Sequence, residues 1–144
     1  MTYLDVVNKI KEYFENSELV ARVENEDLDD FDLKKSTVYP LALFYVQDVP
    51  LNSPVNTFTV QLLVMDILDI NKETGQDNRD YIWNQTLAII NNFQQQLRRG
   101  DLFVEQVQIT GDITAEPFTD RFDNGLAGWG VQISIQVPNT MTIC

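Results

Sequence analysis

From Val131 to Val137 the chain alternates without a break. Val131, Ile133, Ile135 and Val137 are apolar, and Gln132, Ser134 and Gln136 between them are polar. Successive strand side chains point to opposite faces, so the pattern commits this segment to a half-buried strand with one core face and one polar face. No residue of the polar face is charged. Such a face is free to pack on another wet surface, including a second copy of the chain.

The remaining elements follow from spacing. Thr2 followed by Asp5 has the form of a capping box. Tyr3, Val6, Val7, Ile10, Tyr13 and Phe14 then recur at helical intervals, which predicts a helix over 3–16. Leu19–Val23 reads as a short strand. Val38–Val46, with Pro40 near its start, and Thr57–Ile70 read as two longer ones. Thr57, Thr59 and Gln61 alternate with Phe58, Val60 and Leu62 in the second of these. Between them Gln47–Asn56, with Pro50 and Pro54, is expected to be an extended loop.

Ile82, Thr86, Ile89, Ile90, Phe93 and Leu97 form the buried stripe of a second helix over 78–99, with Asp77 or Asn78 at its cap. Arg98 and Arg99 suit its negative end, and Gly100 stops it. Strands are expected over Leu102–Thr110 and Ile113–Phe122, separated by a turn at Gly111–Asp112. Gly125, Gly128 and Gly130 are expected to bend or bulge the chain into the closing strand. The fold class is therefore α+β: a mainly antiparallel sheet packed by two α-helices, in a single domain over 1–144. That domain carries an acidic loop at 24–36 and the long loop at 47–56.

Composition removes several functions. The chain has no histidine, hence no Ser–His or Cys–His arrangement and none of the commonest metal ligand. Its single cysteine, Cys144, rules out a disulfide framework and reads as a frayed terminal residue. A net charge of −12 argues against a nucleic-acid-binding module, and the pairs Lys34–Lys35 and Arg98–Arg99 are too small for one. No apolar run is long enough to span a membrane, and no signal peptide is expected at Met1–Asp5. We expect no enzyme activity and no cofactor.

Individual motifs read as structure. Glu24–Asp32 packs six acids into nine residues but lacks the mid-loop glycine and terminal bidentate glutamate of a calcium loop, so it reads as a solvated loop. Asp66 and Asp69 form a carboxylate pair of the kind used in acid–base chemistry, yet their place at a strand end fits solvation. The sequon Asn84–Gln85–Thr86 falls inside the second helix. Gly125, Gly128 and Gly130 precede a strand, unlike a phosphate loop. Trp129 reads as a sheet-packing anchor, and Arg121 as an ion-pair partner of Asp120 and Asp123 that also suits a protein interface.

The order helix, strand pair, helix, strands resembles the tail-terminator and tail-completion (neck) proteins of tailed bacteriophages. Phe118-Thr119-Asp120-Arg121-Phe122-Asp123-Asn124-Gly125-Leu126-Ala127-Gly128-Trp129 and the alternating strand after it carry the likeness, which is nearest to the crAss-like phage type. The strand Thr57–Ile70, with the helix after it, is similar too.

The resemblance implies a tail-terminator-like domain in a homo-oligomeric ring, commonly a hexamer, at the neck or tail of the virion. The ring would be assembled in the host cytoplasm and would contact neighbouring neck and tail-tube proteins. Genomic DNA would pass through it without specific binding, eased by acidic walls, and no membrane is involved. Candidate interface residues are Arg121, Asp123, Asn124, Trp129, Gln132, Ser134 and Gln136. The competing expectation is an acidic regulator that mimics DNA and occupies a nucleic-acid enzyme. The gathering of acids in one loop weighs against it.

Overall fold

A computed structural model describes residues 2–26, 39–51, 55–68, 78–100, 108–121 and 125–138. Helix α1, Tyr3–Glu15, begins with the expected capping box: the Thr2 hydroxyl accepts from the Asp5 amide at 3.2 Å, and the Asp5 carboxylate accepts from the Thr2 amide at 2.8 Å. These bonds hold the Asp5 carboxyl below its usual range. Val6, Val7, Ile10 and Phe14 are buried. Helix α2, Arg79–Arg99, buries the expected stripe and ends at Gly100, whose φ of +77° gives the left-handed cap that glycine adopts without steric cost. Asn78 holds the N-cap position but makes no side-chain cap bond; its amide donates to Ile67 O at 3.4 Å instead.

The strands are β1 Arg22–Asn25, β2 Leu41–Asp48, β3 Val55–Ile67, β4 Gln108–Thr110, β5 Glu116–Arg121 and β6 Leu126–Pro138. They form one sheet in the order β1-β2-β3-β6-β4, with β5 also paired to β6. β4 takes Ser134–Gln136 and β5 takes part of Leu126–Gly130. All pairings are antiparallel except β1 with β2. The fold is thus α+β with a mixed, mostly antiparallel sheet and two helices.

Both helices cover one face of this sheet. Their stripes meet Phe44, Phe58, Val60, Leu62, Val64 and the apolar row of β6 in the main core. Phe14 stacks on Phe93 at 4.9 Å between ring centroids and Tyr13 meets Phe93 edge-on at 5.1 Å, so aromatic contacts lock α1 to α2. A smaller cluster of Leu41, Leu43, Leu63, Met65, Phe118 and Leu126 is buried on the other face. Strand alternation accounts for both, since β2 and β3 are apolar on each side over this stretch.

Several expectations need correction. The strand expected over Val38–Val46 begins at Leu41 and runs on to Asp48, and the one expected over Ile113–Phe122 begins only at Glu116. The first strand is not Leu19–Val23; it begins at Arg22 and takes Glu24 and Asn25 from the acidic run. An edge strand tolerates them because only Val23 is buried, and Arg22 Nε pairs with Glu24 Oε1 at 2.7 Å. Residues 27–36 of the acidic loop lie outside the described residues. The loop expected over 47–56 is shorter, because β2 runs to Asp48 and β3 starts at Val55. Leu51 bridges to Asn56, and the Thr57 amide donates to Pro50 O at 3.4 Å.

The strand expected over Thr57–Ile70 is displaced, starting two residues earlier and ending as a strand at Ile67. Of the three glycines, Gly125 turns the chain into the closing strand with a φ of +62°, as expected, whereas Gly128 and Gly130 lie inside β6 and do not bulge its pairing with β3. β6 pairs with β3 without a break, from Leu126 opposite Ile67 to Pro138 opposite Val55. Of the strand expected over Leu102–Thr110, only Gln108–Thr110 is described, and 101–107 lie outside.

Candidate assembly surface

The strand parity that sends Val131, Ile133, Ile135 and Val137 into the main core sends Gln132, Ser134 and Gln136 to the face without helices. The sheet register extends that polar row sideways. Gln132 lies opposite Gln61, which lies opposite Tyr45. Ser134 stands between Thr59 and Thr110, and Gln136 between Thr57 and Gln108. Three cross-strand rows result, built over β3, β6 and β4 from Gln, Ser and Thr with no charged side chain; on β2, Tyr45 continues the first row and Asp48, opposite Thr59, ends the second. The Gln61 amide donates to Gln47 Oε1 at 2.8 Å, which links the lattice along the neighbouring strand. Gln108, Thr110 and Gln132 are exposed, while Thr59 is buried.

One side of this lattice is hollowed. Thr110 pairs with Ser134 and Glu116 with Gly130, so the five residues 111–115 span only the three β6 residues Val131–Ile133. The excess chain bows outward, and Ile113 and Ala115 pack on the helix side. An open groove of about 660 Å3 lies beside the bow. Tyr45, Gln61, Gln132 and Ser134 line it with the apolar Leu63 and Phe118, and Asp112 and Glu116 stand in its wall.

Gly128 shapes the apolar end. It lies opposite Met65 on β3 and Phe118 on β5. A Cβ there would overlap the Val64 carbonyl oxygen and sit 2.9 Å from Met65 Cα, so only glycine fits. At Gly130 a Cβ would meet Leu63 side-chain carbons at 3.8 and 3.9 Å, an ordinary contact.

The structure brings Gln132, Ser134 and Gln136 together and separates Trp129 from them. Trp129 has the opposite parity and faces α2, where its indole donates to Trp83 O at 2.9 Å. The Trp83 indole in turn donates to Phe118 O at 3.0 Å, the two rings lie 6.1 Å apart, and the Arg79 guanidinium sits 5.0 Å from the Trp83 ring centroid. Trp129 therefore fastens α2 to β6 in the geometry of a packing anchor. Arg121 ends β5 opposite Leu126, with its side chain outside the described residues. Asp123 and Asn124 lie wholly outside them.

Of the carboxylate pair, Asp66 is half-buried and accepts from the Ile67 amide at 2.7 Å, while Asp69 lies outside the described residues. Burial raises the Asp66 carboxyl above its ordinary value. The sequon lies on α2 as expected, with the Thr86 hydroxyl buried and donating to Ile82 O at 2.7 Å. Among the described residues no three Cys, Asp or Glu side chains converge on a point that could hold a metal ion, and no helix is long and apolar enough to cross a membrane.

The surface residues that sequence reasoning left out are Tyr45, Thr57, Thr59, Gln61, Gln108 and Thr110. A signal was present for three of them, since Thr57, Thr59 and Gln61 repeat on β3 the uncharged alternation of β6. Their adjacency depends on register, which a single sequence does not give. The chain matches no protein-family model, and no curated protein is similar to it at a significant level.

Proposed function

We propose that the protein is a structural subunit that assembles with copies of itself into a ring at the neck or tail of a phage particle, as a tail terminator or head–tail completion protein. The observation that carries this reading is the patch of uncharged side chains that β3, β6 and β4 place on the helix-free sheet face of a chain with a net charge of −12. Copies with that charge repel one another, and a contact free of ionised side chains is where the repulsion is smallest. Gln, Ser, Thr and Tyr each donate and accept hydrogen bonds, so such a face can satisfy a polar partner without burying an ion. In a ring of about six subunits, the acids left on the walls would let DNA pass without adhering.

Size exclusion coupled to light scattering tests the reading. The expected result is one discrete oligomer at micromolar to millimolar chain concentration. Gln132→Glu combined with Ser134→Glu should convert it to monomer with an unchanged circular dichroism spectrum. A wild-type chain that is monomeric across this range, both alone and with neck and tail-tube proteins, would overturn it.

A further inference from the structure

A second surface has the same character as the sheet lattice. Between Asp80 and Arg98, α2 carries no charged side chain over Tyr81–Leu97, about 25 Å of helix. Its outward stripe is Tyr81, Asn84, Ala88, Asn91 and Gln95, all exposed. In a chain with 22 acidic and 10 basic residues, an uncharged helix stripe and an uncharged patch over β3, β6 and β4 both need an explanation. They lie on opposite sides of the molecule, one on the outside of the helix layer and the other on the open side of the sheet.

We propose that the α2 stripe of one copy seats in the groove on the helix-free sheet face of the next, a head-to-tail contact that repeats around the assembly. This rests on the ring reading above and names which face meets which. Two different surfaces on opposite sides of a subunit generate a closed ring when the rotation between neighbours closes, whereas a self-complementary face stops at a two-fold dimer. Charge favours the same pairing. Asp112 and Glu116 stand in the groove wall, and α2 ends in the exposed pair Arg98 and Arg99, neither in an ion pair among the described residues.

A sheet-to-sheet contact would instead bring Asp112 and Glu116 of two copies together. Arg22, the one described cation of that face, is already paired with Glu24. The apolar end of the groove, Leu63 and Phe118, suits the Tyr81 ring and the Ala88 methyl of a visiting helix.

Cross-linking decides the matter. In a Cys144→Ser background, Ala88→Cys and Gln132→Cys place one thiol on each exposed surface, and a short bis-maleimide joins thiols across a contact. The proposal expects no covalent dimer from either variant alone, a dimer when the two are mixed, and a ladder up to the full ring when both substitutions share a chain. A dimer from Gln132→Cys alone, without a ladder from the double variant, would establish sheet-to-sheet pairing and overturn the proposal. A discrete oligomer by light scattering with no ladder would overturn it too, while leaving the ring reading intact. Monomer throughout would remove the ring reading as well. Ala88→Glu supplies an independent arm, expected to weaken assembly more than about tenfold by placing an anion in the contact. Unchanged assembly of a folded Ala88→Glu protein would also overturn the proposal.

Discussion

Gly128 and Met65 face each other across the β3–β6 ladder with no room for a side-chain carbon at position 128. Gly128→Ala must push backbone apart in the centre of the sheet, and a cost of about 3 kcal/mol or more is expected. Gly130→Ala, two residues along the same face, meets only ordinary contact with Leu63 and should cost less than about 1 kcal/mol. Urea denaturation of the two variants measures the contrast.

The two tryptophans act in series: Trp129 of β6 donates to Trp83 of α2, which donates to Phe118 of β5. Trp83→Phe and Trp129→Phe each remove one indole donor, and a loss of about 1–2 kcal/mol apiece is expected. Because the rings also touch, the double variant should lose less than the sum, with a coupling of about 0.5–1.5 kcal/mol. Hydrogen exchange at the β5 amides should quicken in Trp83→Phe.

Burial raises the Asp66 carboxyl above 3.8, its ordinary value. A raised folded-state value means that the protonated form is the better tolerated one. Asp66 therefore imposes no penalty below pH 3.8 and an increasing one as pH rises through its folded value. Asp66→Asn keeps an oxygen to accept from Ile67 and removes the charge. Its Tm should exceed that of the wild type at pH 7, and the difference should shrink towards zero as pH falls below 3.8. Melting curves across pH 3–7 read the trend.

Assembly of copies at −12 each should strengthen as salt screens their repulsion. Sedimentation between 0.05 and 0.5 M NaCl is expected to show tighter association at the higher concentration. The opposite trend would mean that ion pairs such as Arg98 or Arg99 with Asp112 or Glu116 outweigh the net charge.

Both helices were legible because their signals are local: a capping box at Thr2 and Asp5, a stripe from Ile82 to Leu97, a stop at Gly100. The polar face of β6 was legible for the same reason. Its start was not. Gly128 serves close strand approach, and in sequence that need looks the same as a bend. Glu24 in β1 was obscured by charge, since a run of acids reads as loop until an edge position and Arg22 make it tolerable. The lattice as a surface, and the place of Tyr45, Gln108 and Thr110 within it, arises from strand order. That order joins residues far apart in the chain and leaves no periodic trace.

The sheet's margins carry a further consequence. On one side stands β1, only four residues long, and on the other the flank of β6 is occupied in pieces by β4 and β5. Among the described residues neither border offers a long ladder of vacant amides on which identical chains could stack into a cross-β fibre. The folded chain can therefore accumulate at high concentration with little danger of amyloid-like precipitation.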